Sequence, residues 1–144
     1  MSQKIRIKVK KLVPEAILPV YALPGDAGFD VFSIEEIKIP AKKWAPIRTG
    51  LAIEIPDGFV SLVWDKSGLA LKNGLKTAGG VIDSGYRGEY TIIVHNLSHK
   101  DIVIKPGQKI AQVLIQAVCR PEIELVEELS ETARQANGFG STGI

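Results

Sequence analysis

Three stretches of this chain carry residue types suited to phosphate, water and a flat ring. The first is Asp65-Lys66-Ser67-Gly68-Leu69-Ala70. A serine that caps a short helix, beside a lysine, makes an anion site, because free N–H groups and the helix dipole point at the anion. An ordinary capped helix reads the same way. The second is Gly79-Gly80-Val81-Ile82-Asp83-Ser84-Gly85-Tyr86-Arg87-Gly88, where glycines bracket an acid and an aromatic three residues apart. Glycine lets backbone approach something flat or bulky. Asp83 also fits a simple Asx-turn. The third is Gly138-Phe139-Gly140-Ser141-Thr142-Gly143. Flanking glycines free the Phe139 ring to lie on a planar ligand, and Ser141 and Thr142 offer hydroxyls and N–H groups in a nest suited to phosphate. A low-complexity tail has this composition too. His95 and His99 have no Cys or His partner at metal-ligand spacing.

The elements around these stretches alternate with period 2. Ile5, Ile7 and Val9 alternate with Arg6, Lys8 and Lys10; Leu51, Ile53 and Ile55 with Ala52 and Glu54; Tyr90, Ile92 and Val94 with Thr91 and His95. Such alternation predicts strands with one face inward. Breaks at Pro24-Gly25-Asp26, Pro56-Asp57-Gly58 and Pro106-Gly107 punctuate them. Many short strands with regular turns predict an all-β sandwich or jelly roll. Lys109 to Val118 is apolar on both faces apart from Gln112 and Gln116, so it reads as a strand buried from two sides. Ser67 to Asn73 alone reads as a helix, with Ser67 as N-cap and Asn73-Gly74 as its stop. From Ser130 onward the chain is small, polar and glycine-rich, which predicts a mobile arm at 131–144 after a β domain at 1–130.

The chain has 144 residues, a one-domain length. A net charge of +2 is too small to indicate a nucleic-acid or membrane surface, so an anionic ligand must be held locally. No apolar run approaches the ~20 residues of a membrane span. Met1-Ser2-Gln3-Lys4 leads into charged alternation with no apolar signal region, which predicts a cytoplasmic protein. Cys119, the single cysteine, reads as a buried structural thiol. Trp44 and Trp64 read as core or interface packing, and Glu122, Glu124, Glu127, Glu128 and Glu131 as a solvated face.

Taken in order, five segments resemble the five motifs of the trimeric dUTP diphosphatases. They are Ala27-Gly28-Phe29-Asp30-Val31, Lys66-Ser67-Gly68-Leu69-Ala70, Gly80 to Glu89, Gly107-Gln108-Lys109-Ile110-Ala111-Gln112, and Arg134 with Gly138 to Gly143. The resemblance spans nearly the whole chain. It implies a jelly-roll-like β-barrel assembled as a homotrimer, with each active site built from all three subunits. It implies hydrolysis of dUTP to dUMP and pyrophosphate, which limits uracil incorporation into DNA and supplies dUMP for dTMP synthesis.

Residue roles follow from the same resemblance. Asp83 orients and deprotonates the water that attacks the α-phosphorus; a carboxylate ionised at neutral pH suits that task. Mg²⁺ bridges the triphosphate, and Asp30 holds its waters. Lys66, Ser67, Gly68, Gln112 and Arg134 grip phosphate oxygens, with Ser141 and Thr142 adding contacts from the arm. Tyr86 lies against the deoxyribose and excludes a 2′-hydroxyl. Backbone groups at Gly80, Val81 and Ile82 read the uracil edge. Phe139 stacks on the base as the arm, with Gly140 in its bend, closes. Thr77 is a further candidate contact.

The chain departs from the family in two places. Lys66 stands where arginine is usual, which keeps the charge but loses the bidentate fork. Asp65 stands where proline is usual, and a carboxylate near phosphates must point away. The nearest rival, dCTP deaminase, uses a glutamate on the strand after the hairpin; the corresponding position here is Ile93, which has no proton to give. That family also tends to carry tryptophan where Tyr86 stands. A non-catalytic trimeric nucleotide-binding module is the other alternative, disfavoured by the retained Asp83, Tyr86 and Arg134.

Overall fold

The computed structural model describes residues 4–143. Among these the chain forms eleven strands and one helix. Four strands make the sheet that matters most for the site: β2 (Phe29–Phe32), β11 (Lys109–Ala117), β6 (Phe59–Trp64) and β8 (Val81–Asp83), in that spatial order. A second sheet has the order β4 (Trp44–Arg48), β9 (Thr91–Asn96), β7 (Leu75–Ala78). Two ribbons complete the fold: β1 (Lys8–Lys11) on β5 (Leu51–Glu54), and β10 (Ile102–Ile104) on β3 (Ile37–Ile39). Every strand pair is antiparallel. This is the expected all-β, jelly-roll-like architecture with one short helix.

Period-2 alternation explains which side chains fill the centre. In β9, Ile92, Val94 and Asn96 are buried while Thr91, Ile93 and His95 are not. The interior joins Val31, Ile39, Ile47, Leu51, Ile92, Ile104 and Val113 into one cluster. Each such side chain contributes roughly 1.5–3 kcal/mol by leaving water. Tyr90 is buried with its hydroxyl 2.7 Å from Ser61 Oγ, and Thr49 Oγ1 donates to the Tyr90 carbonyl at 2.5 Å. These bonds remove the cost of unpaired polar groups in an apolar core.

Three expectations need correction. The helix α1 spans Ser67–Asn73 as read, but its N-cap is Lys66, and no side chain caps it. Ser67 is its first helical residue. The stop is as expected: Gly74 is left-handed at φ 64°, and its N–H returns to the Ala70 carbonyl at 3.0 Å. Strand β11 is paired on both sides and buried at Ile110, Ala111 and Val113, but Gln116 and Ala117 are exposed. Cys119 is exposed, because it lies beyond the end of β11 rather than within it. Of the two readings for Trp44 and Trp64, core and interface, the interface one stands, since they are about half exposed in the single chain, at 58% and 50%. Residues 118–143 form no strand or helix. No described helix is long and apolar enough to cross a membrane.

Candidate active site

Register brings three of the segments together at one end of the four-stranded sheet. Gln112 of β11 sits opposite Asp30 of β2 on one side and Trp64 of β6 on the other. Asp65 and Lys66 follow directly from β6, so they emerge beside Gln112. The Gln112 amide donates to the Asp65 carbonyl at 2.9 Å. Gly28 makes room for that side chain, since a Cβ there would sit 3.0 Å from Gln112 Oε1 and 2.9 Å from Leu114 Cδ1.

Asp30 is the buried charge at this end, only 2% exposed. Lys66 Nζ donates to its Oδ1 at 2.6 Å, and Lys109 Nζ stands 3.0 Å from Oδ2. Oδ2 lies off the hydrogen-bonding direction of that ammonium and has no other partner. Burial pushes the Asp30 carboxyl up, but the Lys66 hydrogen bond and the positive charges of Lys66 and Lys109 outweigh it and hold it below the usual range. Lys66, Gly68, Lys72, Asn73, Gln108 and Lys109 line a cavity of ≈ 410 Å³. Three ammonium groups around one opening suit a polyanion. Lys72 and Lys109 had no assigned role from sequence; only their convergence in space reveals one.

The second cavity forms where the chain changes sheets. Strand β7 pairs with β9, whereas β8 pairs with β6, so the two strands of the glycine-rich hairpin diverge. Gly79 turns the chain at φ 62°. Gly80 packs flat on β6, where an added Cβ would come 2.5 Å from the Val63 carbonyl oxygen; its own carbonyl accepts from Val63 N–H at 2.8 Å. The space between, ≈ 260 Å³, is lined by Gly79, Val81, Ile82, Asp83, Tyr86, Glu89 and Thr91.

Asp83 ends β8 exposed at the edge of this cavity, and its carbonyl accepts the Tyr86 N–H at 3.1 Å to close the following turn. Tyr86 is pinned at both ends. Its hydroxyl donates to the Glu89 carbonyl at 3.0 Å, and its ring packs on Tyr90 at 6.3 Å between centroids. Gly88 is required beneath it, because a side chain there would run into the Tyr86 hydroxyl. Glu89 was not singled out from the sequence. Its carboxylate accepts Gly50 N–H at 2.7 Å and Arg48 Nε at 3.2 Å, which locks the wall of the cavity.

The arm stands apart from both cavities. Arg134 Nε donates to the Asn137 carbonyl at 2.8 Å, and Ser141 N–H to the Gly138 carbonyl at 3.2 Å. Phe139 is fully exposed. Arg134, Ser141 and Thr142 line a cavity of their own with Ala133 and Asn137. A single chain therefore brings Asp30, Lys66, Gly68 and Gln112 to one end. It sets Gly80, Val81, Ile82, Asp83 and Tyr86 at a second place, and Arg134, Phe139, Gly140, Ser141 and Thr142 at a third. Ser67 is exposed at the start of α1. Thr77 faces away from the hairpin cavity, its hydroxyl donating to Asp65 Oδ1 at 2.7 Å.

Among the described residues no group of three or more His, Cys, Asp or Glu side chains could grip a metal directly. Asp30 alone is buried, and an ammonium faces each of its oxygens. These donors fit a hydrated Mg²⁺ that arrives on a polyphosphate, since Mg²⁺ keeps several waters and takes phosphate oxygens as ligands. They do not fit an ion caged by protein.

An ammonium-lined cavity, a small hairpin pocket with a carboxylate at its edge and an antiparallel all-β fold mark the class of β proteins suited to a phosphorylated ligand. Comparison with known proteins narrows this class. The profile of the dUTPase family matches residues 14–143. The chain is 43% identical over 136 residues to the deoxyuridine 5'-triphosphate nucleotidohydrolase of Paramecium bursaria Chlorella virus 1, covering 94% of this chain and 96% of that one. It is 42% identical to the enzyme of the same name from Hydrogenobaculum sp. (strain Y04AAS1), covering 97% and 99%. The fold superposes on the Staphylococcus bacteriophage 80alpha dUTPase with dUpNHpp at a TM-score of 0.91 and 30% identity, over 96% of this chain and 99% of that one. A mutant dUTPase from phage phi11 of S. aureus, described as coordinating a structural Mg(II) ion, matches at 0.82 and 28% identity, over 88% and 99%. The chain is an enzyme of the dUTPase family.

Proposed function

We propose that this enzyme hydrolyses dUTP to dUMP and pyrophosphate, with Mg²⁺ carried on the triphosphate. The observation that carries the reading is the hairpin cavity: it is small, lined by the 79–83 segment, Tyr86, Glu89 and Thr91, and edged by the exposed Asp83 carboxylate. Asp83 takes a proton from water, and the resulting hydroxide oxygen bonds to the α-phosphorus. The bond from that phosphorus to the bridging oxygen breaks, and pyrophosphate leaves with the electron pair. Such chemistry rests mainly on positioning and charge stabilisation.

The remaining residues bind and exclude. Lys66, Ser67, Gly68 and Gln112 hold phosphate oxygens, and Arg134 offers a fork to the terminal phosphate. Mg²⁺, when bound, would neutralise further phosphate charge, and Asp30 is the residue that would hold it, through water. Backbone groups at Gly80, Val81 and Ile82 read the uracil edge; a cytosine there would leave buried polar groups unpaired. Tyr86, fixed by Glu89 and Tyr90, blocks a 2′-hydroxyl. Phe139, with Gly140, Ser141 and Thr142, closes over the base and phosphates and excludes water. The division into a barrel at 1–130 and a closing arm at 131–144 belongs to this reading. So does a homotrimer, supported by three sets of site residues that line separate cavities in one chain.

Hydrolysis in heavy-oxygen water tests the reaction. The label should appear in dUMP and not in pyrophosphate. Label in pyrophosphate would move the attack to another phosphorus, and release of ammonia would make the enzyme a deaminase. Ile93, whose Cδ1 would lie 3.4 Å from a Cβ on Gly79, puts an aliphatic group beside the hairpin, where deamination needs a proton carrier.

A further inference from the structure

Asp65 replaces the proline expected at the start of the phosphate segment, and its surroundings give it a task. Its carboxylate is turned toward β7, away from the ammonium-lined cavity. Oδ1 accepts the Thr77 N–H at 2.7 Å and the Thr77 hydroxyl at 2.7 Å, and Lys76 Nζ stands 3.0 Å from Oδ2. Its carbonyl accepts the Gln112 amide at 2.9 Å. One residue, directly after β6, is thereby tied to β7 and β11. The residue after it, Lys66, is the N-cap of α1 and reaches Asp30. Strand β7 runs on into Gly79, the turn of the hairpin cavity.

Proline would stiffen this position by fixing φ near −65°. Aspartate leaves φ free, and side-chain bonds do the holding instead. Thr77 is 7% exposed, so its hydroxyl would be a costly orphan without the carboxylate. We propose that Asp65 is a positioning residue that sets the Lys66–Gly68 loop for the triphosphate and, through Thr77, couples that loop to the base-binding hairpin. This rests on the dUTP reading given above. Asp65 touches no substrate; it acts through Lys66 and Thr77.

The test uses Asp65→Ala, Asp65→Asn, Thr77→Val and the Asp65→Ala/Thr77→Val double variant of the full chain. Calorimetry measures binding of dUpNHpp, dUMP and inorganic tripolyphosphate, alongside kcat and KM for dUTP. Asp65→Ala should weaken dUpNHpp and tripolyphosphate about tenfold and raise KM similarly, while dUMP changes by less than about twofold. Asp65→Asn keeps an oxygen for both Thr77 donors and should recover most of the loss. Thr77→Val should weaken dUpNHpp a few-fold alone and add little on top of Asp65→Ala. Unchanged dUpNHpp affinity in Asp65→Ala, an equal loss for dUMP, or Asp65→Asn no better than Asp65→Ala would overturn the proposal. A wild-type enzyme that leaves dUTP intact would refute the reaction instead. Tripolyphosphate binding in the same variants would still decide the role of Asp65.

Discussion

At the scale of single residues, the site depends on how a few charges are shared. Asp83 is exposed and free to face a substrate water, whereas Asp30 is enclosed by Lys66 and Lys109. Asp83→Asn keeps the shape of the cavity edge and removes the base. It should retain dUpNHpp binding while kcat falls about 10²-fold or more; full activity in that variant would take the base role from Asp83. Asp30 has a different consequence. Its folded carboxyl is held low by the two lysines despite burial, so the stability it contributes is present above the ordinary carboxylate range. That stability is lost as pH falls through the folded value. Melting temperature should therefore drop on acidification below about pH 4. The drop should be shallower in Asp30→Asn, which starts from a lower plateau because two ammoniums lose their partner. An identical acid profile in both proteins would contradict the ion-paired arrangement.

Residue types told part of this in advance. The segments that hold Asp83, Tyr86, Lys66 and Gln112 were legible because they stand as a set, in order, and they carry the family resemblance that the comparisons bear out. Lys72 and Glu89 were not, because each matters only through neighbours far away in sequence: Lys72 lines one cavity with Lys109, and Glu89 locks Gly50 and Arg48. Ser67 was misread as the cap for a related reason. A cap contributes about 1 kcal/mol. The several bonds that fix Asp65 decide where the chain leaves β6, and so where α1 begins.

Among elements, the decisive feature is the divergence of β7 and β8 into different sheets. The alternation read from the sequence covered neighbouring segments such as Tyr90 to His95 and neither of these two, which were placed only as a hairpin through the resemblance. It could not show their partners, since a period of 2 fixes the face and leaves the neighbour open. Gly80 is where the hairpin lies closest to β6. Gly80→Ala would force a methyl to 2.5 Å from the Val63 carbonyl oxygen, which the backbone can relieve only by moving β8. Thermal unfolding of this variant should occur several degrees lower, as about 1–3 kcal/mol of overpacking implies, and KM for dUTP should rise. A variant with wild-type KM and melting temperature would mean that the close approach is not needed.

On the scale of the whole molecule, one chain sets the candidate site residues at three separate places. Its surface also keeps large apolar groups in water: Trp44, Trp64, Ile123, Leu125 and Leu129 are all half exposed or more. Residues 118–130 carry three of these without forming any regular element. Both features are expected of a subunit whose contacts lie on other copies. Composition had marked the region after Ser130 as an arm, but no pattern within one chain could say what it closes on. Removal of residues 134–144 should leave a folded oligomer of unchanged size on a sizing column, with dUTP turnover reduced at least about 10²-fold through loss of Arg134, Phe139 and the closing of the site. A truncated protein that is fully active would detach the arm from catalysis.

The most direct measurement is hydrolysis of dUTP, dCTP, UTP and dTTP side by side with Mg²⁺, following pyrophosphate. The small hairpin pocket lined by Tyr86 should give rapid turnover of dUTP, with the other three slower by about 10²-fold or more in kcat/KM. Equal rates on UTP or dTTP, or no pyrophosphate from dUTP, would contradict it.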